Sequence, residues 1–225
     1  MNNSREVKDS LYEQFARVAK AVASPKRIEL LDLLCQAERS VDGLARAANM
    51  TVKNASAQLK ELRLARLVET RKEGTRVFYR LADDGVSNLY FMLRDIARNH
   101  LAEVDRIARE YFDEHDEFEP VGREDLLQRI QSGTAIVIDV RPQEEYAAGH
   151  IPGAISVPLA QLEERIHLFP EGVAVVAYCR GPYCVLAPEA MTRLRNAGFT
   201  ALRLEEGFPE WKRAGLPVAT GTKET

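Results

Sequence analysis

The run Ala174-Val175-Val176-Ala177-Tyr178-Cys179-Arg180-Gly181-Pro182-Tyr183-Cys184-Val185, leading into a helix-spaced stretch over 186–197, restricts this chain more than any other segment. A short β-branched run that stops at a cysteine, turns through Arg-Gly-Pro and opens a helix is strand, loop and helix in succession, the unit of a parallel sheet. The same layout suits a reactive sulfur. A nucleophilic thiol has to be an anion, and an ordinary cysteine with a pKa of about 8.5 is mostly protonated at neutral pH. Backbone N–H groups at the start of a helix, with Arg180 beside them, lower that pKa and hold an anionic product such as a persulfide. The alternative is a buried cysteine that only ends a core strand.

The pattern around this unit is consistent from residue 118 onward. Leu126, Leu127 and Ile130 mark a helix, Ala135-Ile136-Val137-Ile138 a buried strand, and 143–148 a short helix. Strands over 173–177 and 201–204 flank a helix over 185–197, and a last helix covers 209–214. These alternations predict a small open parallel α/β domain whose ligands lie beyond the strand carboxyl ends, where Asp139 and Cys179 both fall. Upstream, the acidic stretch Phe112-Asp113-Glu114-His115-Asp116-Glu117-Phe118-Glu119-Pro120 ends in proline and marks a boundary. The expected domains are 1–117 and 118–225.

The first domain reads as mainly helical. Leu11, Phe15, Val18, Ala19 and Val22 have helical spacing, and Ser24-Pro25 restarts a helix to about Ala37 with Ser as cap and Pro at its first position. Ser40 caps a short helix over 41–48, Asn49-Met50 makes a turn, and Thr51 caps a fourth helix to about Ala65. A β-rich hairpin about a Glu-Gly turn spans 67–81, and Asp83-Asp84 opens a long helix to about Tyr111. Two short helices, a polar one and a basic hairpin follow the order of a winged helix-turn-helix, whose polar helix enters the major groove while the hairpin tip reaches backbone.

Charge supports this. Residues 1–117 hold 20 basic and 20 acidic side chains, yet 46–80 contains nine basic and three acidic ones, a surface suited to nucleic acid. The expected DNA contacts are Thr51, Lys53, Asn54, Ser56, Gln58 and Lys60 on the fourth helix and Arg71, Lys72, Thr75 and Arg76 on the hairpin, all reading double-stranded operator DNA. The last helix carries more apolar residues than a wing can cover, so it is expected to pack on the first helix and on a second subunit. The twofold homodimer would present two reading helices one DNA turn apart.

Three cysteines, Cys35, Cys179 and Cys184, are too few for a disulfide framework or a four-cysteine zinc site, which leaves reactive thiols as their better use. Nothing reads as a membrane span or secretory leader, so a cytoplasmic protein without a membrane partner is expected.

Residues 10–112 resemble the arsenic-repressor (ArsR) family, through Ser24-Pro25-Lys26-Arg27-Ile28-Glu29-Leu30-Leu31, Ser40-Val41-Asp42-Gly43-Leu44-Ala45, Gln58-Leu59-Lys60-Glu61-Leu62 and Gly74-Thr75-Arg76-Val77-Phe78-Tyr79-Arg80-Leu81. Arg66 stands where that family usually has glycine. The family's arsenic-binding cysteines fall on Ser40 and Asp42 here, so that site is absent. Its zinc site on the last helix keeps one half, His100-Leu101-Ala102-Glu103, while the other half falls on Ser87 and Leu89. No metal ligand is assigned, and a metal-responsive repressor is the weakest of the alternatives.

Residues 118–220 resemble a rhodanese, a sulfurtransferase domain, through four motifs in order. These are Ile138-Asp139-Val140-Arg141-Pro142, the run from Glu144 through Gly149-His150-Ile151-Pro152-Gly153-Ala154 to Ile155, Tyr178-Cys179-Arg180-Gly181, and Leu204-Glu205-Glu206-Gly207-Phe208-Pro209-Glu210-Trp211. The resemblance implies that Cys179 takes a sulfane sulfur as a persulfide and that the loop amides of Arg180, Gly181, Pro182, Tyr183, Cys184 and Val185 surround it (Pro182 having no N–H). Asp139 and Arg141 would lie beside the loop, or Asp139 would only orient backbone. Such transfer runs from a small sulfane-sulfur donor to a thiol acceptor by thiol exchange, with no metal or cofactor. Related phosphatases need Cys-x5-Arg, and Val185 occupies the arginine position, which excludes a phosphatase. An apolar loop end also suits a persulfide or polysulfide better than thiosulfate. Cys184 is either a resolving thiol or a small residue packed at the loop's end, and Cys35 is expected in the core.

The combination implies a DNA-binding transcriptional regulator, in the sense of a repressor, whose rhodanese half senses or transfers reactive sulfur. The alternative is a working sulfurtransferase whose DNA-binding half is not coupled to sulfur.

Overall fold

The computed structural model describes residues 3–112, 120–170 and 172–222. The acidic boundary stretch lies mostly outside them, at 113–119. The chain divides into two compact units, 1–97 and 98–225.

In the first unit, α1 (Asn3–Val22) and α2 (Pro25–Gln36) precede a two-residue strand β1 (Arg39–Ser40), α3 (Val41–Ala47) and α4 (Val52–Leu64). The hairpin strands β2 (Val68–Glu73) and β3 (Arg76–Leu81) follow, then α5 (Asp84–His100). Proline stands at the start of α2 as expected, though Ser24 makes no side-chain cap bond there. Ser40 Oγ accepts the Gly43 N–H at 3.1 Å and Thr51 Oγ1 accepts the Asn54 N–H at 3.2 Å, each relieving an orphan donor of a helix's first turn. Leu30, Leu31, Leu34, Leu44, Leu59, Leu62, Val86 and Phe91 share one core.

Three features depart from the expected pattern. The hairpin turn falls on Gly74 and Thr75, since Glu73 pairs with Arg76, and Gly74 has φ 58°. β1 pairs with β3 through Arg39 opposite Tyr79, which makes the sheet three-stranded in the order β1-β3-β2. The long helix expected over 84–111 is interrupted at Leu101, with α6 (Ala102–Phe112) beginning beyond it. Asn99 and His100 are weak helix formers, and the Val104 N–H closes a tighter turn onto the Leu101 carbonyl at 3.0 Å. Arg66, in the position after the α4 cap, has φ 60°, the left-handed conformation that glycine adopts without strain.

The second unit holds five parallel strands, β4 (Pro120–Val121), β5 (Ala135–Asp139), β6 (Ile155–Ser156), β7 (Ala174–Tyr178) and β8 (Ala201–Leu204), in the order β4-β8-β7-β5-β6. Two strands, β4 and β6, are only two residues long, too short for a periodic signal in the sequence. α6, which falls within this unit's range, α7 (Arg123–Ser132), α8 (Gln143–Ala148), α9 (Leu162–Arg165), α10 (Leu186–Asn196) and α11 (Phe208–Arg213) are its α-helices among the described residues. Alternation along β7 separates two cores. Val175, Ala177 and Cys179 join Ala187, Ala190, Met191 and Leu194 of α10, while Val176 and Tyr178 join Leu126, Phe208 and Trp211. The chain moves outward from β5 to β6 and returns to β7 on the other side of β5. The strand order therefore reverses between β5 and β7, whose carboxyl ends bound a crevice of the kind that binds ligands in open sheets.

Candidate functional site

Cys179 follows the last residue of β7 and is 2 % exposed. Three contacts fix where it sits. The Phe208 N–H donates to the Cys179 carbonyl at 3.0 Å. A Cβ built on Gly207 would fall 2.2 Å from the Gly181 nitrogen and 2.4 Å from the Arg180 carbonyl carbon, so the loop lies against this position too closely for any side chain unless backbone shifts. The third is sulfur itself: Cys179 and Cys184 are joined as a disulfide, with Cα atoms 6.4 Å apart. The Cys184 N–H closes the turn onto the Gly181 carbonyl at 3.1 Å and is thereby turned to that carbonyl. Tyr183 and Val185, expected in the loop, are exposed at its rim.

Arg180 was expected to lend its charge to the thiol. Its guanidinium instead forks onto Glu145, with Nη2 at 2.6 Å and Nε at 3.0 Å from Oε1. Glu145 is fully buried and the Arg180 side chain is 18 % exposed, so the carboxylate offsets much of the positive charge next to the sulfur. Sequence reasoning does not single out Glu145 as part of the site. It lies beside Glu144 at the start of the run 144–155, and nothing in the sequence says which of the two turns inward.

Asp139 and Arg141 come together at the carboxyl end of β5 as a pair with no solvent exposure. Asp139 Oδ1 also accepts the Arg141 backbone N–H at 3.0 Å, and Arg141 Nη2 reaches the Gly149 carbonyl at 2.7 Å. The guanidinium lies 4.4 Å from the Phe208 ring centroid and 5.6 Å from that of Tyr178. Burial lowers the Arg141 pKa, Asp139 raises it, and the net direction is upward. Burial holds the Tyr178 phenol well above its ordinary range, with Asp139 adding to the effect, and its hydroxyl accepts the Ile151 N–H at 3.1 Å. These groups hold the carboxyl ends of β5 and β7 side by side, and the loop departs from β7.

A cavity of about 480 Å³ runs along β6, bordered by His150, Ser156, Gln161 and Arg165. It includes none of residues 179–185, so its size says nothing about the sulfur.

On the first unit, Lys53, Asn54, Ser56 and Lys60 project from α4 opposite its buried Ala55, Leu59 and Leu62. Thr51 is exposed but uses its hydroxyl oxygen in the helix cap, and Gln58, half-buried, donates to Asn54 Oδ1 at 3.3 Å and accepts from Arg27 at 3.1 Å. Lys72, Thr75 and Arg76 are exposed around the hairpin tip. Arg71 is exposed too, but its guanidinium contacts Glu38 at 2.6 Å and Glu73 at 2.6 Å, which raises its pKa further. Val7, Leu11, Tyr12 and Phe15 of α1 and Met92 and Ile96 of α5 are half exposed or more. Cys35, outside any disulfide, packs against the first-unit core.

Among the described residues no group of three or more histidine, cysteine or acidic side chains is arranged to hold a metal ion, and no helix is long and apolar enough to cross a membrane.

Residues 24–70 match the model of bacterial regulatory proteins of the arsR family, and 122–214 match the rhodanese-like domain. The chain is 43 % identical over 221 residues to the HTH-type transcriptional regulator Rv0324 of Mycobacterium tuberculosis, covering 98 % of this chain and 97 % of that one. It is 31 % identical over 100 residues to a sulfurtransferase of Allochromatium vinosum, covering 44 % of this chain and 92 % of that one. Among solved structures it is similar to the homodimeric winged helix-turn-helix DNA-binding domain Mb0332 of Mycobacterium bovis, at 45 % identity and a TM-score of 0.40 over 42 % of this chain and 87 % of that one.

Proposed function

The chain belongs to the ArsR-family transcriptional regulators that carry a rhodanese-like domain, and from that premise we propose that it is an operator-binding repressor whose Cys179 accepts sulfane sulfur and so reports reactive sulfur to the DNA-binding half. The observation that carries the reading is a cysteine held at the strand-order reversal of the second unit, in a chain whose other unit is a DNA reader. Regulation of this kind requires that sulfur at Cys179 change the free energy of the DNA-bound state relative to the free one.

In this reading Lys53, Lys60, Lys72 and Arg76 neutralise phosphates, and Asn54, Ser56 and Gln58 meet base edges. Arg71 braces the hairpin, with its charge available to phosphate only beside Glu38 and Glu73. The exposed apolar faces of α1 and α5 are the dimer surface, since a run of that kind left in water favours association. The protein acts in the cytoplasm, where the operator is. The donor is a small persulfide or polysulfide and the acceptor a thiol.

The test is operator binding by fluorescence anisotropy at fixed salt, with and without polysulfide, on the intact chain and on Cys179→Ser. The reading requires a change in affinity of about tenfold or more, some 1.4 kcal/mol, that the variant lacks. Equal binding in all four conditions would leave a sulfurtransferase joined to an uncoupled DNA-binding unit, the reading that the likeness to a sulfurtransferase favours.

A further inference from the structure

We infer that Cys184 is a resolving thiol, so that sulfane sulfur taken up at Cys179 leaves as sulfide while the Cys179–Cys184 disulfide closes. This rests on the reading of Cys179 as the sulfur acceptor and adds the fate of the sulfur.

The geometry points to the second cysteine. Cys184 returns to the first because Gly181 and Cys184 close a turn at 3.1 Å, and their sulfurs are within bonding reach. The loop's other contacts hold Cys179 still while this happens: its carbonyl is bound by the Phe208 N–H, and Arg180 is forked onto Glu145. Cys179 is buried and Cys184 half-buried, so Cys184 is the residue more open to an external thiol. Val185 then leads into the eleven-residue helix α10, whose first N–H groups favour a thiolate nearby.

In the reduced loop a persulfide on Cys179 offers two sulfurs to attack. The Cys184 thiolate attacks the inner one, Cys179 Sγ. The Sγ–Sγ bond forms, the bond from Cys179 Sγ to the outer sulfur breaks, and its electron pair leaves with that sulfur as HS⁻. The Cys184 proton goes to solvent. The outer sulfur is reduced to sulfide and Cys184 is oxidised to the disulfide level, so the step needs no outside oxidant. Hydrosulfide is a less basic leaving group than an alkyl thiolate, which favours the inner sulfur, and the reaction is intramolecular. A dithiol reductant resets the loop through the more accessible Cys184. Over a full cycle a persulfide and a dithiol become a thiol, sulfide and a disulfide, which makes the domain a sulfane-sulfur reductase.

The experiment treats the full-length reduced chain, freed of reductant, with glutathione persulfide, a donor whose by-product is glutathione. Sulfide release and intact protein mass are followed together in the native chain, Cys184→Ala and Cys184→Ser. The native chain is expected to release one sulfide per chain and to end at the mass of the dithiol less two hydrogens. Both variants are expected to retain one added sulfur on Cys179 and to release sulfide about tenfold more slowly, having lost the intramolecular step. A native chain that keeps its added sulfur as long as the variants overturns the resolving role and leaves the persulfide reading standing. Disulfide formation without sulfide overturns it as well, because the bridge would then arise from some other oxidant. If neither the native chain nor the variants gain sulfur, the reading of Cys179 itself fails, and this inference with it.

Discussion

Gly207→Ala is the sharpest test of how the sulfur loop is held. Gly207 has φ −105° and ψ −178°, an extended conformation open to any residue, so alanine brings no backbone strain. Taken alone, the change should stabilise the domain by about 0.4–1 kcal/mol through the unfolded chain. The added methyl, however, would lie 2.2 Å from the Gly181 nitrogen and 2.5 Å from its Cα, where ordinary contact begins near 3.4 Å. Both neighbours are backbone, so loop and helix must separate by roughly 1 Å, a displacement that forfeits about a quarter to a half of the local dispersion attraction. The shift pulls against the Phe208 N–H bond to the Cys179 carbonyl, 3.0 Å long. Overpacking of this kind costs about 1–3 kcal/mol, which outweighs the entropic gain. Trp211 is the chain's single tryptophan and is buried in the same domain, so its fluorescence during urea unfolding reads this domain alone. The expected outcome is a lower midpoint for Gly207→Ala, together with about 10²-fold slower sulfur uptake at reduced Cys179 from a misplacement near 1 Å. DNA binding in the absence of sulfur should stay unchanged. A midpoint equal to or above that of the native chain, with native uptake, would show that the loop does not depend on this contact.

Asp139→Ala should cost the rhodanese-like domain about 3–5 kcal/mol, because Arg141 would keep a buried charge without its carboxylate; Asp139→Ala with Arg141→Met should recover much of that in the Trp211 unfolding curve, and no recovery would sink the account. Lys53→Ala or Lys60→Ala should weaken binding to every DNA sequence and lower the slope of log affinity against log salt by about one unit, so an unchanged slope counts against phosphate contact. Arg66→Gly should raise the stability of the DNA-binding domain by about 0.5–1 kcal/mol by relieving a left-handed residue, and circular dichroism showing no rise would contradict that strain. Burial raises Tyr90, with Asp32 adding to it, and burial likewise raises Tyr178. A phenol raised in the folded state keeps its proton while the unfolded one loses it, so its contribution is intact below about pH 10 and is lost above that at about 1.4 kcal/mol per pH unit. Urea midpoints that stay level from about pH 9 to about pH 11 would rule this out.

The sequence was most legible where one residue type has one physical use. Pro25 at a helix start, the caps at Ser40 and Thr51, and the β-branched run ending at Cys179 each imply a local structure that nothing nearby opposes. It was least legible where two elements meet. The pairing of Arg180 with Glu145 joins positions 35 residues apart, and either Glu144 or Glu145 could have been the inward one. The seat of the loop on Gly207 depends on a backbone approach that leaves no composition signal. β1, β4 and β6 are too short for alternation to show, and the break at Leu101 follows no proline or glycine. Arg71 looked like a phosphate contact because charge is visible in a sequence and partnership is not. Its bond to Glu38, 33 residues away, exists only once the hairpin has folded against the segment before β1.

That brace has a thermal consequence. With β3 paired to β1 and Arg71 bridging to Glu38, the hairpin meets DNA already folded. The hairpin then adds no ordering to binding, so the heat-capacity change measured by titration calorimetry should carry no component from coupled folding of the hairpin.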